Sequence, residues 1–378
     1  MSGHNGHFGG ISSSSPHSIF TPVLLRVFPG CRDNTLASDS APSNHSRRIW
    51  SPNCSVILLR LRKEATMSSL PRSGDTSFHN VLFLTDFSSA SELALPYAVA
   101  LARQYKGKIY IAHVIAPQMY EFIPPDFVPE VLPKITAYAE RRMNRLVTEF
   151  DFGDVPHEAL LQQGEIWDTL RQLADQRQID VIALGTRGRR GLQKILMGSV
   201  AEEVIRLAHR PVLTVGPESW EMPPRNWPQT ILLANDFSLN CAHAVACADS
   251  LAQKFGARLL SVHIAGDCPE DPTAVTRLEE FFTEKLEQCL PDARSSQHEH
   301  KFLVDFGFAA QRILKMAGEH KVDLIVMGAR GAGSMVRGTS HLGTTSYRVV
   351  SEAHCPVLTA RGESGKETQA DAEPAKHV

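Results

Sequence analysis

From His79 onward the chain alternates two patterns: short apolar runs of strand length, and longer stretches with helical spacing. Val81-Leu-Phe-Leu84 is the first run, and it ends in Thr85-Asp86-Phe87-Ser88. Ser91–Tyr105 then places Leu93, Leu95, Ala98 and Ala102 at helical intervals, with Pro96 either kinking the helix or marking its effective start. Ile109–Ile115 predicts a second strand, Met119–Pro133 a long proline-rich aromatic loop, and Lys134–Glu149 a second helix. His157–Leu161, Ile166–Gln176 and Ile179–Leu184 predict strand, helix and strand. Val200–His209 predicts another helix and Pro211–Val215 a fifth strand. Strands that alternate with helices in this way predict a parallel sheet covered on both faces.

Prolines then interrupt the pattern, and 217–229 reads as a linker. After it the pattern repeats. Ile231-Leu-Leu-Ala-Asn-Asp236-Phe-Ser238 echoes Val81–Ser88 at an offset of 150, and His263 echoes His113 at the same offset. Val322–Gly331 echoes Ile179–Gly188 at an offset of 143, and Ala353–Thr359 echoes Ala208–Thr214 at 145. The second copy therefore loses seven residues in its middle and gains two within its glycine loop. The expectation is two tandem α/β domains, 78–216 and 230–361, each with a doubly wound five-stranded parallel sheet. A polar tail, 362–378, follows. Residues 1–77 are rich in Ser, Pro, Gly, Asn and His without sustained period, and disorder is the expectation there. A second reading places the true start at Met67, leaving the residues before it outside the native protein.

Composition narrows the partners. Lys and Arg total 39 against 41 Asp and Glu, so no basic field points to nucleic acid. No run of about 18 apolar residues predicts a membrane span, and no membrane partner is expected. The seven cysteines form no C-x-x-C pair, which argues against a disulfide framework or a zinc site and for a reducing, cytoplasmic setting. The histidines of the first 45 residues are irregularly spaced, and no metal-ligating set is read. His113 and His263, inside apolar strands, read as core histidines, and Arg141, Arg142 and Arg145 as a solvated helix face. No G-x-S-x-G elbow and no catalytic Cys/His setting is present, so no catalytic residue is singled out.

The richest chemistry lies in Gly185–Ser199, GTRGRRGLQKILMGS, between a predicted strand and a predicted helix. Glycine at a strand's carboxyl end permits a sharp turn and close approach of a ligand. Glycine and serine at a helix start offer free N–H groups, a hydroxyl and the positive end of the helix dipole. Arg187, Arg189, Arg190 and Lys194 add positive charge. Together these suit a polyphosphate. The dipole supplies only about 0.3–1 kcal/mol, or ~2 when partly buried, against about 8 for micromolar binding, so a nucleoside pocket must supply the rest. Neither GxxxxGK[ST] nor GxGxxG fits the spacing.

Taken together, the strand ending in Asp86 or Asp236, the strand carrying His113-Val114 or His263-Ile264, the glycine loop and the closing Pro-Val-Leu-Thr strand resemble the universal stress protein family, twice over. The resemblance covers His79–Val215 and Thr230–Ala360 and implies a Rossmann-like fold of the adenine nucleotide alpha hydrolase type. The ATP-binding branch carries G-x-x-G, nine residues, then G-[S/T], and the first domain matches at Gly185, Gly188, Gly198 and Ser199. The resemblance implies ATP with Mg²⁺ as the ligand. Asp86 would face the adenine or ribose, Val114 would pack on the adenine, and the glycines, Ser199 and Arg187 would hold ribose and phosphates. Asp86 has a second reading as a helix cap. Asp236, Gly328, Gly331, Gly343 and Thr344 are the counterparts in the second domain, but there eleven residues separate Gly331 from Gly343. Resemblance also implies that the apolar closing strands pair between domains, giving an internal pseudo-dimer, with a homodimer and an unnamed protein partner as further expectations. Three functions stay open: an ATP-binding stress-response protein, a slow adenine-nucleotide hydrolase, and a nucleotide-free interaction module.

Overall fold

The structure is a computed structural model. It describes residues 76–186, 197–219, 223, 226–290, 298–330 and 343–361. The expectations for the N-terminal extension before 76 and for the tail 362–378 fall outside the described residues.

The first repeat runs β1 (Asn80–Leu84), α1 (Ser89–Glu92), α2 (Leu95–Gln104), β2 (Lys108–Ile115), α3 (Val128–Glu149), β3 (His157–Gln163), α4 (Ile166–Gln176), β4 (Val181–Gly185), α5 (Ser199–Leu207) and β5 (Val212–Val215). The second runs β6 (Thr230–Ala234), α6 (Leu239–Phe255), β7 (Arg258–Ala265), α7 (Pro272–Cys289), β8 (His300–Phe306), α8 (Ala309–Glu319), β9 (Leu324–Gly328), α9 (Thr344–Glu352) and β10 (Val357–Ala360).

One detail decides between the two readings of Pro96, and another corrects a loop boundary. Pro96 marks a start: it lies in the first turn of α2, just after the single turn of α1. The loop expected over Met119–Pro133 ends early, because α3 begins at Val128. Pro129 sits in the first turn, where its missing N–H costs no helical bond. Only Pro133 removes an internal donor, and Lys134 pairs with Glu130 at 2.9 Å across the same turn.

All ten strands join in one sheet, ordered β3-β2-β1-β4-β5-β10-β9-β6-β7-β8. Within each half the neighbours are parallel, and their order reverses between β1 and β4 and again between β6 and β9. Central strands such as Val81–Leu84 and Leu324–Met327 are buried on both faces, which explains their unbroken apolar runs. The halves meet at β5 and β10, which pair antiparallel with Leu358 opposite Leu213. The Thr214 hydroxyl donates to the Val357 carbonyl at 3.0 Å, and the Thr359 hydroxyl donates to the Val212 carbonyl at 3.4 Å. These two bonds are equivalents under the repeat, so the junction is a pseudo-two-fold. The internal pairing implied by the family resemblance is thus realised in the fold, and each half covers the other's open edge.

A second seam lies between α2 and α6. Tyr105 packs edge-on against Phe255, its own counterpart in the repeat, and its hydroxyl lies 3.1 Å from the Ser250 hydroxyl. Trp227, at the end of the linker, is 3% exposed. It packs against Tyr97 and Phe255 and donates its indole N–H to the Asp323 carbonyl at 3.0 Å. The linker therefore ends in an anchor that touches both halves.

The starts of α1 and α6 are capped alike. Ser88 Oγ accepts from the Ser91 amide, and Ser238 Oγ accepts from the Cys241 amide at 3.2 Å. Replacing an N-cap serine by alanine costs about 1 kcal/mol, so Ser238→Ala is expected to lower the second half's denaturant midpoint by a corresponding amount. An unchanged midpoint would show that the cap contributes nothing.

Candidate functional site at the carboxyl edge of the sheet

Because β2, β1 and β4 are adjacent, their carboxyl ends bring three separated segments together. Leu84 is level with Ala112 on one side and Leu184 on the other. Asp86 follows β1, Val114 ends two residues past Ala112, and Gly185 lies one residue past Leu184. The Gly198 amide donates to the Thr186 carbonyl at 2.8 Å, which brings the start of α5 to the same edge. Of the residues singled out in the first domain, Asp86, Val114, Gly185, Gly198 and Ser199 are therefore gathered. Arg187 and Gly188 lie outside the described residues, as does Gly331 in the second domain.

The turn after β1 is strained. Phe87 has φ of 61°, a left-handed value that a bulky side chain rarely adopts. Several bonds hold it there. The Phe87 amide donates to Thr85 Oγ1 at 2.8 Å, and the Ser88 amide donates to Asp86 Oδ1 at 2.9 Å. The His113 ring, 5% exposed, places Nδ1 2.7 Å from the Thr85 carbonyl and packs on Phe87 with ring centroids 4.3 Å apart. Arg142 donates to the Phe87 carbonyl at 2.6 Å. Strain of this kind costs about 1–3 kcal/mol and persists only where its surroundings enforce it, commonly at ligand sites. Here it sets the direction of Asp86, which is half-buried and also accepts from the Ser88 hydroxyl at 2.5 Å. The helix-cap reading of Asp86 is corrected: Ser88 caps α1, and Asp86 closes the preceding turn by accepting from Ser88.

The second half repeats the turn. Phe237 has φ of 57°, and its amide donates to Asn235 Oδ1 at 2.8 Å. His263 places Nδ1 2.8 Å from the Asn235 carbonyl and packs on Phe237. Burial holds the His263 imidazole below its ordinary range, partly opposed by that hydrogen bond, so the ring is neutral and Nδ1–H donates to the carbonyl. Asp236 is exposed where Asp86 is half-buried. Gly328 ends β9, and its carbonyl accepts from the Ser346 hydroxyl of α9 at 3.0 Å. Gly343 and Thr344 open α9 as Gly198 and Ser199 open α5, and both Ser199 and Thr344 are exposed. Since β5 and β10 run antiparallel, the carboxyl edges of the two halves face opposite ways.

Three features escaped the sequence reading. The core histidines His113 and His263 are the props of the two strained turns, and the shared His-to-carbonyl bond depends on adjacency of β1 with β2, or β6 with β7. Arg142 is not simply a solvated residue: it is half-buried against Phe87, while Arg145 on the same helix pairs with Glu149 at 2.8 Å in solvent. Gly185 has a packing duty, since a Cβ there would lie 2.4 Å from the Ala90 carbonyl oxygen. The thiols Cys247 and Cys355 are buried and pushed up to about 12 by that burial, so they are neutral and inert. Among the described residues, no helix is long and apolar enough to cross a membrane.

Comparison with known proteins follows the repeat. The sequence model described as "Universal stress protein family" matches twice, over residues 77–216 and 228–361. A universal stress protein of Thermus aquaticus is 40% identical over 142 residues, covering 35% of this chain and 98% of its own length. One from Mycolicibacterium smegmatis is 25% identical over 299 residues, covering 75% of this chain and 97% of its own. Among solved structures, a universal stress protein from Archaeoglobus fulgidus superposes with a TM-score of 0.51 at 24% identity, covering 75% of this chain and 98% of its own.

Proposed function

The chain belongs to the universal stress protein family as a tandem two-domain member, and on that premise we propose that it is a cytoplasmic stress-response protein whose first domain binds ATP with Mg²⁺. The observation that carries the reading is the meeting of Asp86, Val114 and the Gly198-Ser199 helix start at one sheet edge, where strand order reverses. Open α/β sheets bind ligands at that place. The groups present suit a nucleotide: Val114 is a half-buried apolar wall, Asp86 an acceptor for base or ribose hydroxyls, and the start of α5 a set of amide donors with an exposed hydroxyl. In this reading Gly185, with the loop residues Arg187 and Gly188, would complete the phosphate side. Ser199, with the phosphates, would hold the Mg²⁺, which neutralises phosphate charge.

In this reading ATP acts as a ligand that favours one conformation or one partner surface, and hydrolysis is slow. The second domain keeps Asp236, Gly328, Gly343 and Thr344, but its longer loop and the exposed setting of Asp236 favour weaker binding. A nucleotide-free interaction module is the second reading. It draws support from Gly185, whose missing side chain is accounted for by packing against Ala90.

Calorimetric titration of the full chain with MgATP separates these readings. One equivalent per chain is expected, with affinity reduced at least about tenfold, or ~1.4 kcal/mol, in Gly198→Val. Valine fits the extended backbone of Gly198 (φ −67°, ψ 148°) but sets a branched side chain among the amide donors. Two equivalents would bring the second domain into use. No heat, with no nucleotide released on acid denaturation, would leave the interaction module. Turnover lost in Asp86→Ala would favour the hydrolase.

A further inference from the structure

A cluster in the second half lies away from both carboxyl edges. Asp249, near the end of α6, faces His298 and His300, where the chain enters β8. One ligand-competent atom from each lies within 4.8 Å of the other two. His298 Nε2 is 3.8 Å from Asp249 Oδ1, and the two imidazole centroids are 4.2 Å apart. Asp249 is 5% exposed and His298 9%. Both ring nitrogens of His300 are shielded from solvent without a hydrogen-bond partner among the described residues. Gln253, one turn along α6, donates to the other carboxylate oxygen of Asp249 at 2.9 Å.

The repeat supplies an internal control. Ile109 pairs with His157 in the first half as Leu259 pairs with His300 in the second. The counterparts of Asp249 and His298 are therefore Val99 and Val155, which are 3% and 4% exposed. His157, the counterpart of His300, instead stacks on Phe152 at 4.1 Å. The scaffold is filled by two valines where the second half buries a carboxylate and an imidazole. Fold alone does not ask for those polar groups, so their meeting beside His300 is particular to the second half.

We propose that Asp249, His298 and His300 form a binding site for a divalent first-row transition ion, with zinc the foremost candidate. Two imidazoles and one carboxylate suit such an ion far better than Mg²⁺ or Ca²⁺, which take oxygen ligands. Ligands at about 2.1 Å around a tetrahedral ion stand roughly 3.4 Å apart, so the His298–Asp249 pair is close to that spacing and His300 would draw in to complete it. A neutral imidazole offers one ring nitrogen to a metal ion, and both histidines can do so here. Gln253 fixes the carboxylate as an outer partner. Three protein ligands leave a fourth position for water or an incoming donor. The bound ion would clamp the start of β8 to α6, one residue from Ser250 at the seam with α2.

The test uses the full chain, stripped with a chelator and titrated with Zn²⁺ and, separately, Co²⁺. The variant Asp249→Val/His298→Val copies the first half's packing and is expected to fold. Wild type should take up one more equivalent of metal than the variant, show Co²⁺ ligand-field bands that the variant lacks, and melt at a higher temperature with Zn²⁺ than without. His300→Ala should lose the same bands. Histidines near the N-terminus can bind metal weakly, but that uptake would persist in both variants. Equal uptake, spectrum and melting shift in wild type and the double variant would overturn the proposal, as would failure of folded wild type to take up either ion.

Discussion

Leu358→Asp is expected to open the seam between the two halves and unfold the second at conditions where the native chain is intact. Leu358 is 1% exposed, lies in the middle of the antiparallel pairing with Leu213, and is flanked on its other side by Val326 of β9. Removing its side chain from the core costs about 1.5–3 kcal/mol. Placing an unpaired carboxyl there adds about 1–3 kcal/mol even where relaxation partly compensates. The sum, about 2.5–6 kcal/mol, is a large share of the ~5–15 kcal/mol that holds an ordinary domain folded. The junction carries only four-residue strands, β5 and β10, so little else can hold the sheet continuous once it is breached. Leu358→Met, which keeps volume and polarity, should cost less than about 1.5 kcal/mol. Denaturant unfolding of both variants, read with protease susceptibility, decides it. Wild-type behaviour in Leu358→Asp would mean that the halves do not join through these strands.

Gly185→Ala should also be damaging, although it adds only one methyl group. An ideal Cβ would stand 2.4 Å from the Ala90 carbonyl oxygen, 2.9 Å from Ser91 Cα and 3.0 Å from the Ala90 carbonyl carbon. All three are backbone atoms, so no side-chain rotation relieves the overlap. Either α1 moves away or the end of β4 does. Overpacking of a rigid site costs about 1–3 kcal/mol, and the upper end is expected where the neighbour is backbone. The displacement has a second consequence. α1 is continuous with Asp86–Ser88 and is capped by Ser88, so moving it turns Asp86 away from the edge. A drop in the unfolding midpoint together with loss of MgATP binding is the expected pair of results. Unchanged stability with lost binding would instead mean that Gly185 is kept for the ligand's approach, as its position in the glycine loop suggests.

Much of the architecture was legible in order along the chain. Apolar runs buried on both faces, such as Val81–Leu84, are long enough and regular enough to mark central parallel strands, and Ile166–Gln176 was readable as a helix to both its ends. The repeat made the second half readable from the first. The prolines misled where position within an element mattered more than presence. Pro129 fits the first turn of α3, which begins within the stretch that looks like a loop. The gathering of Asp86, Val114 and Gly198-Ser199 was expected from family resemblance and strand order. The glycine-loop residues Arg187, Gly188 and Gly331 lie outside the described residues, and their roles remain part of the proposal.

What the sequence determined by itself is therefore what depends on near neighbours: the strand and helix periods, the tandem repeat, the punctuation between domains and the residues offered at strand ends. Those signals are local because backbone geometry repeats every two or every 3.6 residues. Tertiary structure alone decided which offered groups act together. His113 props the Phe87 turn only because β2 lies beside β1. Arg142 reaches the same turn from 55 residues away. Asp249 and the pair His298 and His300 look like an ordinary helix acid and two scattered histidines until α6 is laid against the start of β8. Nothing in the local pattern distinguishes a histidine that supports a carbonyl from one aimed at a carboxylate, because that depends on the atoms brought within a few ångströms by the folded chain.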